Sequence, residues 1–374
     1  MRLTIVSETY LPQLNGVSRT LGQLVRVLEE QGDAVQLIHP DYGEPRRHAD
    51  DVLVRSEEIP FYREVRLPMP PFSSVRHAID RFRPDLIHIA TEATLGLSVL
   101  QFARRRRIPV VSSFHTNFDQ YTDHYRFGWL NGAVWRYLRW FHNQTRETYV
   151  PSRATIETLR ARGFERLALW PRGVDCDQFR PDAAGRARVR ERLGMGAEQV
   201  VVGHVSRIAA EKNVEYLAAA LERLVSGCAR ARVIVVGDGP ARAELEARLG
   251  AAGTCVGYQT GAALAEYYAA FDLFAFASTT ETFGNVVLEA MAAGLPVVAL
   301  DAGGPGEIVR HQETGILISP KSAASVMADA LAGLIQDEAR RAAMGAAARK
   351  YAEGQSWRAI MLGLRARYEG VMRS

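Results

Sequence analysis

The chain has 374 residues, 47% hydrophobic and 24% charged, with a formal net charge of +4 and three cysteines. That length exceeds one ordinary core and suits two domains. So small a positive excess does not argue for nucleic acid, and no zinc-finger, RNA-recognition or helix-turn-helix signature is present. No apolar run approaches the eighteen or more residues of a membrane span. Cys176, Cys228 and Cys255 lack metal or disulfide spacing, and Met1 leads into a strand rather than a leader peptide. The expectation is a cytoplasmic protein.

Short apolar runs alternate with amphipathic stretches, the pattern of a parallel α/β sheet with helices on both faces. In the first half, strands are expected over 3–7, 34–39, 85–90, 109–113 and 147–151, and helices over 18–31 and 154–162. The polar, turn-rich run Arg180-Pro-Asp-Ala-Ala-Gly185 precedes a charged helix, so the break is placed there: a first domain over 1–180 and a second over 181–356. The second half offers strands over 200–206, 232–237, 254–257, 273–277, 296–301 and 315–318. Helices there are expected over 213–225, 241–250, 262–271 and 323–336. Both halves read as Rossmann-like, and such sheets bind ligands beyond the carboxyl ends of their strands. No internal repeat argues for a solenoid.

Several segments carry chemistry. The run from Glu8 to Ser18 joins a strand to a helix through Gly16, with fewer glycines than a dinucleotide fingerprint. His115 stands at a strand end, and Asp119, Tyr121 and His124 beyond it are candidate acceptor contacts. Over 126–142, helical periodicity gathers Trp129, Leu130, Ala133, Val134, Tyr137, Leu138, Trp140 and Phe141 on one face, with Arg139 and Trp135 opposite and Arg136 at the border. This segment suits either an anionic membrane surface or an ordinary core-facing helix. Arg207 and Lys212 follow a strand and are suited to phosphate. Gly237-Asp-Gly-Pro240 is a turn that any α/β connection can use. From Glu281 to Glu289 the chain reads ETFGNVVLE, ahead of small residues and a buried strand. Gly284 permits close backbone approach, and a helix N-terminus leaves amides free for phosphate oxygens. If most of that interval is helical, it rises about 12 Å.

The two glutamates and the residues between them resemble the donor-site motif of retaining glycosyltransferases of family 4. The resemblance implies a GT-B fold, two Rossmann-like domains facing across a cleft, with a C-terminal helix over 357–374 packed on the first domain. It implies that Glu281 contacts hydroxyls of the transferred sugar and that Glu289 holds the ribose. The amides of Phe283, Gly284 and Asn285 meet the phosphates, as do Arg207 and Lys212. Backbone groups near Val256 read the base, Gly16 approaches the diphosphate, and His115 faces the sugar. The Gly-rich run from Asp301 to Glu307 closes this part of the site. The family is held to need no metal and no cofactor and to use front-face attack, the leaving phosphate helping to take the acceptor proton. The opening Ser-Glu-Thr-Tyr and Asn-Gly-Val-Ser look most like a subgroup of GDP-mannose-dependent α-mannosyltransferases and sulfolipid synthases. That subgroup implies a nucleotide-sugar donor and a lipid or glycolipid acceptor, and an enzyme peripheral to the inner face of the cytoplasmic membrane.

Other readings stay open at this level. A UDP- or other nucleotide-sugar donor serves the same motif. A sugar-nucleotide epimerase shares the two-domain plan but needs an acid/base pair that is not evident, and it would convert donor without acceptor. A silent nucleotide-sugar-binding module would bind donor and release no diphosphate. A nicotinamide dehydrogenase lacks its glycine fingerprint.

Overall fold

The computed structural model describes residues 1–13, 16–59, 62–115, 128–281 and 283–373. They form two compact units, Met1–Pro171 with Arg358–Ser374, and Arg172–Trp357. The turn-rich run at Arg180 therefore lies inside the second unit. Val174 bridges to Ser356, and a Cβ on Gly173 would stand 2.6 Å from the Trp357 Cα, so the chain is already packed on the second unit before Arg180.

In the first unit the strands are β1 (Arg2–Val6), β2 (Ala34–Pro40), β3 (Val52–Val54), β4 (Ser56–Ile59), β5 (Tyr62–Pro68), β6 (Leu86–Ile89), β7 (Val110–Ser113), β8 (Thr148–Val150) and β9 (Leu167–Leu169). Seven of them make a sheet in the order β3-β2-β1-β6-β7-β8-β9, every pair parallel, while β4 and β5 form a separate antiparallel ribbon. Strand order reverses between β1 and β6. One face is covered by helices Ser73–Phe82 and Thr94–Arg106, whose Val75, Ile79, Leu95 and Val99 pack with Val6, Ile38, Ile87 and Ile89. The helix Trp357–Arg373 enters the first unit with Arg358 and reaches its Asp33 through Arg365, at 2.7 Å.

The second unit holds β10 (Val200–Val205), β11 (Ala231–Val236), β12 (Gly253–Cys255), β13 (Leu273–Phe276), β14 (Val297–Leu300) and β15 (Gly315–Ile318). Their order is β12-β11-β10-β13-β14-β15, again all parallel, with the reversal between β10 and β13. Because both faces are covered, these strands are apolar at successive positions rather than at alternate ones. Val201, Val205, Phe274 and Phe276 enter one core; Val200, Val202, Leu273 and Ala275 enter the other. The consequence for function is positional: in each unit the reversal opens a crevice at the carboxyl ends of two central strands, where such sheets take ligands.

Candidate active site

In the second unit, the segment leaving β10 and the segment leaving β13 meet at that reversal. Three bonds join them. Lys212 Nζ lies 2.5 Å from Glu281 Oε2, Thr280 Oγ1 donates to the Glu211 carbonyl at 3.0 Å, and Asn213 Nδ2 donates to the Ala277 carbonyl at 3.1 Å. A short helical turn, Ala210–Lys212, aims the lysine, and Asn213, at φ 55°, turns the chain into helix Val214–Gly227. Beneath the pair, buried His204 on β10 donates from Nδ1 to the Ala275 carbonyl at 2.9 Å. Burial lowers its pKa to about 4, and its Nε2 lies 2.7 Å from Ser206 Oγ, whose hydroxyl also reaches the Arg207 carbonyl at 2.9 Å. Arg207 is different. It pairs with Glu211 at 2.5 Å, and its side chain is 67% exposed, against 22% for Lys212. The solvated Arg207 pair is easily broken; the Lys212–Glu281 pair is half shielded.

The Glu281 loop rests on a second loop. Gly303 has φ 54°, which a side chain rarely adopts, and a Cβ there would stand 2.3 Å from the Glu281 carbonyl oxygen. A Cβ on Gly304 would stand 2.1 Å from the Phe283 carbonyl oxygen, and the Gly304 N–H donates to the Glu281 carbonyl at 2.8 Å. Backbone thus lies directly on backbone. A similar contact supports the cation loop: a Cβ on Gly237 would stand 1.8 Å from the Ser206 carbonyl oxygen. The turn after β11, unremarkable in sequence, is shaped to carry the turn after β10.

Gly284, with φ 85°, is the N-cap of helix Asn285–Ala292. The Glu281–Glu289 interval is therefore half loop, not mostly helix: the left-handed turn at Gly284 stops helical geometry from reaching back to Glu281. Asn285 is exposed and Phe283 packs partly on the core. Helix residues Val287, Leu288, Ala290 and Met291 are buried, which leaves Glu289 half-buried at the helix edge. There its Oε2 accepts from the Tyr268 hydroxyl at 2.9 Å, a hydroxyl that also reaches the Val286 carbonyl at 3.1 Å. Tyr268 is fully buried, and burial together with the Glu289 charge holds its pKa well above the usual phenol value, so it remains a donor. No sequence signal singled it out, since it lies in an apolar helix 21 positions from its partner. At the edge strand, the Val256 N–H donates to Val235 and its carbonyl accepts from Gln259 Nε2 at 3.0 Å. The Val256 N–H is engaged, while its carbonyl, accepting one bond, keeps a second lone pair.

In the first unit, Gly16 opens helix Gly16–Glu30. Glu8, buried beside the β1–β6 reversal, caps helix Thr94–Arg106 by accepting the N–H groups of Ala93, Leu95 and Gly96. Burial raises its pKa despite those bonds. His115 lies just past β7, its Nε2 2.8 Å from Ser113 Oγ and its ring 5.5 Å from that of Trp170. Asn15, Asp119, Tyr121, His124 and Thr282 lie outside the described residues. Helix Gly128–His142 is rotated from the face expected by periodicity. Leu138, Phe141 and His142 are buried, and Trp135 packs on Phe164 beneath the Arg162 guanidinium, 3.7 Å from the Trp135 ring. Ala133, Val134 and Trp140 are exposed beside Arg136 and Arg139. Tertiary contact with Phe164 decides that rotation.

A doubly wound parallel sheet with a lysine–glutamate pair, glycine-fitted loops and a helix N-terminus at its strand reversal is the arrangement of a ligand-binding α/β protein. Residues 14–178 match Glycosyltransferase Family 4, and residues 199–337 match Glycosyl transferases group 1. The chain is 35% identical to the GDP-mannose-dependent alpha-mannosyltransferase of Mycobacterium tuberculosis (strain CDC 1551 / Oshkosh), over 99% of this chain and 97% of that one. It is 33% identical to the sulfoquinovosyl transferase SQD2 of Arabidopsis thaliana, over 94% of this chain and 70% of that one. Anabaena Alr3699/HepE, solved in complex with UDP, superimposes with a TM-score of 0.75 at 21% identity, covering 99% of this chain and 100% of that one. The chain belongs to glycosyltransferase family 4, has the GT-B fold and is a hexosyltransferase.

Proposed function

We propose that this enzyme transfers mannose from GDP-mannose to a lipid or glycolipid acceptor, with retained anomeric configuration and without metal. The Lys212–Glu281 pair at the β10–β13 reversal is the observation that carries the reading. Each candidate cation rests on a carboxylate: Lys212 on Glu281 and Arg207 on Glu211. A diphosphate is the stronger partner for both cations. Donor binding then exchanges carboxylate for phosphate and releases Glu281 to the sugar hydroxyls, while Glu289, held by Tyr268, takes the ribose. In the transfer, the bond from the anomeric carbon to the phosphate oxygen breaks. The acceptor oxygen bonds to that carbon on the same face, and its proton passes to the departing diphosphate. Arg207, Lys212 and the amides of the helix beginning at Asn285 stabilise the charge that develops there. His115 meets the transferred sugar.

The GDP-mannose-dependent alpha-mannosyltransferase named above supports mannose from GDP-mannose. Thermal shift across a panel of nucleotide-sugars tests the donor, because a ligand that binds the native state raises Tm with the logarithm of its concentration. GDP-mannose is expected to give the largest rise; a larger rise with a UDP-sugar overturns the donor assignment. NMR of the product reads the anomeric configuration, and full turnover in EDTA is expected. Among the described residues no helix is long and apolar enough to cross a membrane. Contact with an anionic membrane is assigned to the exposed Val134, Arg136, Arg139 and Trp140. Flotation with anionic vesicles at low salt tests it, and protein left at the bottom of the gradient refutes it.

A further inference from the structure

The loop that leaves the edge strand β12 carries two side chains with no part in the chemistry above. Residues 256–260 join β12 to helix Gly261–Ala270. Three bonds brace this loop. The Val256 N–H donates to the Val235 carbonyl at 3.0 Å, and the Gly237 N–H donates to the Gly257 carbonyl at 2.9 Å. Gln259 Nε2 donates to the Val256 carbonyl at 3.0 Å. On this support Tyr258 is 77% exposed, more than any other large hydrophobic side chain among the described residues. Its ring and hydroxyl have no partner among those residues. A tyrosine has only two side-chain torsions to fix, so a ring on a braced backbone is placed against a ligand at low entropic cost.

The loop is tied to the candidate phosphate site at the β10–β13 reversal. Gly237 is the link: a Cβ on it would stand 1.8 Å from the Ser206 carbonyl oxygen beyond β10, and its N–H reaches Gly257 beyond β12. Two strand spacings, about 10 Å, separate those ends, a span suited to a nucleotide whose diphosphate rests on Lys212. Helix Gly261–Ala270, which leaves the loop, carries the Tyr268 that holds Glu289, and Val256 packs on the same core as Phe283 and Val286. The Gln259 amide has one possible orientation. A carbonyl oxygen only accepts, so the amide nitrogen must face Val256. Gln259 Oε1 forms no hydrogen bond among the described residues, and the Val256 carbonyl keeps a second lone pair. Two acceptor oxygens are thus held together on one braced loop, beside an unpartnered ring.

We propose that Tyr258 stacks on the nucleobase of the donor and that Gln259 Oε1, with the Val256 carbonyl, accepts from the N1–H and 2-amino groups of guanine. Guanine presents two adjacent donors on its pairing edge. Uracil presents one, between two carbonyls, and adenine has an acceptor at N1 and no 2-amino group. Stacking gives affinity for any base, since every base has a π face; the paired acceptors give the choice among bases. The proposal rests on the reading of the donor as GDP-mannose. It adds the side chains that distinguish guanine, Gln259 by hydrogen bonding and Tyr258 by contact area.

Titration calorimetry of the full-length protein with GDP, IDP and UDP tests this, because IDP is GDP without the 2-amino group. The unsubstituted protein is expected to bind GDP roughly fivefold more tightly than IDP, the effect of one hydrogen bond. Gln259→Ala should bring the two within about twofold, by weakening GDP. Tyr258→Ala should weaken GDP and IDP alike, by at least about fivefold, and leave their ratio unchanged. Tyr258→Phe, which keeps the ring, should bind both as the unsubstituted protein does. Thermal melts establish that each variant is folded. Equal affinity for GDP and IDP in the unsubstituted protein overturns the proposal. So does a GDP preference unmoved in Gln259→Ala, or a GDP affinity unmoved in Tyr258→Ala. Those results leave the donor reading standing wherever GDP binds more tightly than UDP. The donor reading itself fails, and the proposal with it, if UDP is the tighter ligand.

Discussion

Gly304→Ala isolates what the glycine loop does for the active site. Its added Cβ would stand 2.1 Å from the Phe283 carbonyl oxygen, 2.2 Å from its carbon and 2.3 Å from its Cα. All three are backbone atoms, so no side chain can swing aside. Ordinary contact requires the two loops to part by more than about 1 Å. Overpacking of this kind costs about 1–3 kcal/mol, a fall of roughly 2–12 °C in the Tm of a unit this size. The functional loss is larger. The displaced segment carries Glu281 and leads into the helix N-terminus at Asn285, and a shift of about 1 Å in a positioning element costs on the order of a hundredfold in rate. Gly306→Ala is the control, in the same helix, Gly303–Ile308. Its Cβ would meet Asp301 Oδ1 at 2.8 Å, the tip of a side chain that can rotate away. The assay is release of nucleoside diphosphate from GDP-mannose over a donor series, with thermal melts of both variants. Gly304→Ala with kcat/KM within about twofold of the unsubstituted enzyme and an unmoved Tm refutes the reasoning. Equal damage from the two substitutions does so as well.

Other predictions address the charged groups. Glu281→Ala should lower kcat at least about tenfold, roughly 1.4 kcal/mol of barrier; near-normal turnover in a folded variant removes Glu281 from the chemistry. Tyr268→Phe deletes the donor that holds Glu289 and should raise the donor KM about tenfold, as the loss of a hydrogen bond to a charged group implies. Kinetics in which kcat alone falls would contradict a ribose role for Glu289. His88 and His142 in the first unit have pKa values lowered to about 3, and His204 in the second to about 4, all by burial. Each is neutral when folded and takes up a proton on unfolding below about 6.5. Stability is therefore full above that value and declines as pH falls toward the folded values. His88 and His142 together contribute a slope approaching about 2.7 kcal/mol per pH unit in the first unit, to which His39, also lowered by burial, adds and which Glu8, raised by burial, opposes; His204 contributes about 1.4 in the second. Urea titrations between about pH 6 and 5 measure it; stability that stays flat there means these rings are charged in the native state.

The sequence by itself determined the α/β class and the family. β10, β11 and β13 are buried on both faces, which forces near-continuous apolar runs that can be read without partners. Arg207, Lys212, Glu281, Gly284 and Glu289 could be singled out because each belongs to a short segment that resembles a family motif. Three-residue strands such as β3 and β9 were not, being shorter than any periodicity can resolve. Tertiary structure alone decided the partners. Lys212 meets Glu281 across 69 positions, Tyr268 reaches Glu289 across 21, and Tyr368 reaches His88 across 280. It also decided why Gly303 and Gly304 are glycines, and which side of the helix Gly128–His142 faces inward. Side-chain type follows from local sequence, whereas which atom a side chain reaches is set by strand order and by the close packing of segments far apart in the chain.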